Sequence, residues 1–93
     1  MLKNHYEALR VGEVSWGFDG EGDEDWIFCQ LRADQRGHND KDGWTFVLHI
    51  GGNATYRANK IASMKASNCS EEFIALYEEA TAEGFDKLFI VGR

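Results

Sequence analysis

A chain of 93 residues is expected to form one domain, being too short to enclose two separate hydrophobic cores. Its 43% hydrophobic and 28% charged residues, with three Trp, three Tyr and six Phe, exclude disorder over most of the length. A formal charge of -6 opposes nonspecific attraction to nucleic acid or to anionic lipid, and it favours basic partners.

Residues 2 to 10, LKNHYEALR, place Leu2, Tyr6 and Leu9 at helical spacing, which predicts a short N-terminal helix before the Gly12 break. Lys3, Asn4 and His5 follow Met1 and Leu2 directly, so no apolar signal region is expected. No run approaches the length of a membrane span, and the expected compartment is the cytoplasm. Cys29 and Cys69 read as reduced thiols and not as a disulfide framework.

Three runs then share one small element: Trp16-Gly17-Phe18, Trp26-Ile27-Phe28 and Trp44-Thr45-Phe46. Read as strands, each sends a Trp and a Phe to the same side, and antiparallel pairing would gather the rings on one sheet face. Two stretches rich in Gly, Asp and Asn, DGEGDED and ADQRGHNDKDG, join them as turns. An antiparallel meander of three strands is the expectation.

Residues 54 to 66, ATYRANKIASMKA, fit either a helix stripe or extended structure, and strand is favoured for residues 60 to 66 because a helix start follows. Asn68 and Ser70 are N-cap candidates, and Glu71 and Glu72 sit where the helix dipole favours negative charge. The helix is predicted to run to about Glu83, with Phe73, Ile74, Leu76, Tyr77 and Ala80 inward and Gly84 as its stop. DKLFIVG then reads as a buried strand.

The predicted class is α+β: a meander followed by a strand-helix-strand unit, in one mixed sheet with one main helix and a short N-terminal one. Strand 25 to 33 and the last strand are apolar on both faces. Because two helices do not cover both faces of such a sheet, some aromatic surface is expected to be buried against a second copy or a partner.

The densest chemistry lies in Asp19, Glu21, Asp23, Glu24 and Asp25, flanked by Phe18 and Trp26. Three readings stay open for them. Alternate carboxylates resemble the ligand spacing of a calcium loop, but Glu24 stands where that loop needs Gly and Gln30 where it needs Glu. A solvated hairpin tip that discourages edge pairing is the plain alternative. The third is mimicry of nucleic-acid phosphate, to which Asp40, Asp42 and the pairs Glu71-Glu72 and Glu78-Glu79 would add.

The aromatic runs also suggest a platform for stacking bases, but Arg57, Lys60 and Lys65 are the only basic group and stand between acidic segments, so core packing is favoured. Cys29, His38, His49 and Cys69 lack zinc-site spacing. Cys69 before a helix, and His49 within a strand, are the only residues that keep an enzymatic reading alive. Gly51-Gly52-Asn53 lacks the Lys-Ser/Thr pair of a phosphate cradle and reads as a turn.

In size, charge and lack of catalytic residues the chain resembles the small acidic inhibitors, anti-CRISPR or anti-restriction in type, by which phages and mobile elements block host defences. It resembles small bacterial immunity proteins in the same respects. The likeness carries over no site. The expectation is a non-enzymatic protein that occupies a basic protein surface through Asp19, Glu21, Asp23, Glu24 and Asp25, with Trp16 or Trp26 as anchor. No catalytic residue, metal, cofactor, direct nucleic-acid contact or membrane contact is expected, and a homodimer is compatible with the apolar faces. The alternative is a small ligand- or calcium-binding module using the 19–25 loop.

Overall fold

The computed structural model describes residues 3–6, 10–51 and 53–92. Its elements in chain order are β1 (Lys3–Tyr6), β2 (Val11–Trp16), α1 (Glu24–Arg32), β3 (Gln35–Asn39), β4 (Gly43–His49), α2 (Ala54–Ala66), α3 (Glu71–Ala82) and β5 (Lys87–Gly92). The class is α+β. The strands form one mixed sheet in the order β1-β2-β5-β4-β3, with β2 and β5 parallel and the other pairs antiparallel.

Strand registers put Val14, Phe46, Leu48, Leu88 and Ile90 on one face. Against it pack Phe28 and Cys29 of α1, Met64 of α2, and Phe73, Tyr77 and Ala80 of α3, and together these make the core. Tyr77 is fully buried, and its hydroxyl donates to the His49 carbonyl at 2.9 Å, so a large ring enters the core without an orphaned polar atom. The opposite sheet face carries half-buried Thr45, Val47, Phe89 and Val91.

Several sequence expectations are corrected here. The N-terminal helix over residues 2 to 10 is replaced by β1 over Lys3–Tyr6; Leu2 and residues 7 to 9 lie outside the described residues. The strand expected over 25 to 33 is α1. Asp23 caps it, Glu24 and Asp25 fill its first turn, and Asp25, Phe28 and Cys29 turn inward at helical spacing. Ile27 and Leu31, the supposed second apolar face, are 41% and 72% exposed. The three-strand meander therefore does not form; β3 and β4 make a hairpin, with β3 drawn from the stretch read as a turn.

The strand expected over 60 to 66 is the second half of α2, capped by Asn53, whose side chain accepts from the Tyr56 N–H at 2.7 Å. Accordingly the parallel partner of the last strand is β2, and no strand lies at 60 to 66 to serve that part. Asn68 is no N-cap. It takes a positive φ of 60°, and the bonds Asn68 N–H to Lys65 carbonyl and Cys69 N–H to Met64 carbonyl close α2 in a Schellman turn. Gly84, at φ 83°, ends α3 the same way. The expected helix α3, its Ser70 cap and the final strand are as the sequence predicts.

Candidate functional site

The segment from Asp19 to Asp25 is a turn running into a helix, and its carboxylates divide into two kinds. Asp23 uses both oxygens on backbone N–H groups, those of Asp25 at 2.8 Å and Asp19 at 2.9 Å, which closes the turn and caps α1. Asp25 is 5% exposed, and its carboxylate accepts from the Ser70 N–H at 2.8 Å and the Ser70 hydroxyl at 2.7 Å. Asp19, Glu21 and Glu24 are exposed. The sequence brought five acids together; the fold turns three of them outward and builds itself with two.

That division bears on the calcium reading. Asp23 and Asp25, two of its four alternate ligands, are already engaged by protein donors, and the segment leads into a helix instead of lying between two. Among the described residues no three His, Cys, Asp or Glu groups converge as metal ligands do.

The turn stands between two grooves. One, of about 470 Å³, is lined by Trp16, Asp19, Asp23, Glu24, Ser70 and Glu72 among others. Trp16 forms part of its wall and is held edge-on to Phe73 at 5.3 Å. The other, also about 470 Å³, is lined by Phe18, Glu21, Trp26, Asp42 and Trp44, with Val91 and Gly92 of β5. Here Trp26 lies 5.3 Å from Phe18, 5.8 Å from Trp44 and 5.6 Å from Phe46, all edge to face. The six rings expected on one sheet face thus form two groups: Phe18, Trp26, Trp44 and Phe46 in one, and Trp16 and Phe28 about Phe73 in the other. Gly92 lies close beneath this group: a Cβ there would stand 3.1 Å from the Phe18 ring, which would have to give by a few tenths of an ångström.

The remaining candidates have structural surroundings. Burial, and then the Asp25 charge, push the Cys69 thiol up to about 12, the reverse of activation by a helix N-terminus. Burial raises Cys29 further still. The His49 N–H donates to Asp34 at 2.8 Å, its carbonyl accepts from Tyr77, and its Nε2 is buried with no partner among the described residues. Of the basic group, Lys60 is paired with Asp34 at 3.1 Å and lies over the Tyr56 ring, and Arg57 reaches the Gly51 carbonyl. Lys65 remains exposed.

Sequence reasoning missed the part played by Trp44, Asp42 and Gly92. The Asn-Asp-Lys-Asp-Gly turn was visible, and in the fold the Asn39 side chain accepts from the Asp42 N–H at 2.6 Å to shape it. Comparison of the chain with protein-family models, with curated proteins and with solved structures finds no match. No helix among the described residues is long and apolar enough to cross a membrane.

Proposed function

We propose that this chain is a small non-enzymatic binding protein that occupies a basic surface on a protein partner, in the manner of an inhibitor. The observation that carries the reading is the placement of the acidic turn between two grooves, with Trp16 in the wall of one and Trp26 in the wall of the other. Asp19, Glu21 and Glu24, joined by Glu72 across the first groove, supply a negative field that speeds encounter with a cationic surface. The partly buried Trp rings are the anchors, because desolvated aromatic side chains carry most of an interface's energy. The inhibitor type follows from the likeness to small acidic anti-defence proteins and supplies no further residue.

The test is capture from cells with the wild-type chain and with an Asp19→Asn, Glu21→Gln, Glu24→Gln variant side by side, followed by association kinetics on the recovered partner. Association should slow about tenfold in the variant at low salt, and the wild-type rate should fall steeply as salt rises. A rate indifferent to both changes overturns the reading.

A further inference from the structure

The groove beside Trp26 has a wall chemistry of its own. Phe18 and Trp44 meet the Trp26 ring at 70° and 83°, so the three rings form a corner instead of a flat platform. Phe46 lies parallel to Trp44, within 5° and with ring centres 6.2 Å apart, while Trp44 itself stays 38% exposed. Two different turns bring carboxylates to the rim: Glu21 from the loop before α1, and Asp42 from the β3–β4 hairpin.

Aromatic faces attract cations through the ring quadrupole, and carboxylates at the mouth reinforce the attraction where net charge is already -6. A phosphate or a nucleotide would meet repulsion at the same rim. Among cations, a guanidinium suits the cleft better than an ammonium. It is planar and weakly hydrated, so it can stack on a ring while its edge donates to carboxylates in the same plane. Lys41 is exposed and also in the lining, so the cleft sets two carboxylates against one cation of its own.

We infer that this cleft receives an arginine side chain of the basic partner, stacked in the corner of Trp26, Trp44 and Phe18 and hydrogen-bonded to Glu21 and Asp42. The assignment rests on the reading of the chain as a binder of basic surfaces, and it names the residue type that such a surface places here.

The experiment uses the isolated chain and N-acetyl-arginine amide, followed through the three Trp indole N–H resonances. The Trp26 and Trp44 signals should shift saturably while Trp16, in the other groove, stays still. Trp44→Leu should weaken binding about fivefold or more. Because a ring substitution can disturb folding, Glu21→Gln with Asp42→Asn serves as a second variant, expected to weaken binding about threefold and to flatten its salt dependence.

Equal shifts with the neutral analogue N-acetyl-citrulline amide, or equal movement of Trp16, overturn the inference. Tighter binding of tetramethylammonium than of the arginine probe overturns the choice of arginine. No binding of the probe, with partner association still slowed by Asp19→Asn with Glu24→Gln, removes the cleft alone; probe binding with association indifferent to that pair sustains the cleft and removes the acidic-turn mechanism.

Discussion

Asp25 and Ser70, 45 residues apart, form a capping box between two helices. Ser70 caps α3 through its hydroxyl, which accepts from the Phe73 N–H at 3.1 Å, while the carboxylate that satisfies the Ser70 N–H comes from α1. A residue that reads as part of an acidic tip is therefore the tie between the starts of α1 and α3. Asp25→Ala leaves the partly buried N–H and hydroxyl of Ser70 without their acceptor and should cost about 2 kcal/mol, with Asp25→Asn about half as harmful. Urea unfolding of Asp25→Ala, Ser70→Ala and the double variant should give a coupling above about 1 kcal/mol; strict additivity would show the two residues to be independent.

Asn68 takes up the left-handed conformation that ends α2. Asn68→Gly should be neutral or stabilising by up to about 1 kcal/mol, and Asn68→Val destabilising by about 1–2 kcal/mol, because a branched side chain resists positive φ. Thermal unfolding of the two variants in parallel checks the order.

Asp34 joins the end of α1 to β4 and α2. Partial burial disfavours its charge, but the His49 N–H and the Lys60 ammonium outweigh that and hold the carboxyl below its ordinary value of 3.8. A depressed carboxylate contributes stability that is present above its unfolded value and lost as the pH falls through the folded one. Asp34→Asn should therefore cost about 1 kcal/mol at neutral pH, with the gap to wild type closing below pH 3.8. Urea midpoints from pH 7 to 3 read this directly; a gap that does not change with pH refutes it.

With both thiols buried and raised, Cys29 and Cys69 hold almost no thiolate near neutrality. Modification by a thiol reagent at pH 8 should run about a hundredfold slower than in urea-unfolded chain and should follow opening of the core. Rapid labelling of Cys69 in the native protein would restore it as a nucleophile.

What could be read from the sequence follows from how many local signals agreed. Ser70, Glu71 and Glu72 at the start, Gly84 at the end and an apolar stripe between them made α3 legible, and four consecutive apolar residues did the same for β5. In α1 two periods coincided: Trp26 and Phe28 fit alternation, while the helix was signalled by the Asp23 cap, Glu24 and Asp25 in the first turn and Arg32 in the last. Edge strand β3, QRGHN, has no apolar residue to betray it. The acidic turn and Trp26 were visible as a candidate surface. The cleft was not, because it joins Trp44 from a hairpin to Val91 and Gly92 of a strand distant in sequence.

The strand that joins the sheet comes after all the others. Among the described strands, the pairs β1–β2 and β3–β4 are joined only through β5, residues 87 to 92. A cut before Lys87 therefore leaves a fragment that still carries the core from Phe28 to Ala80 but has lost Leu88, Ile90 and the strand that ties the two strand pairs together.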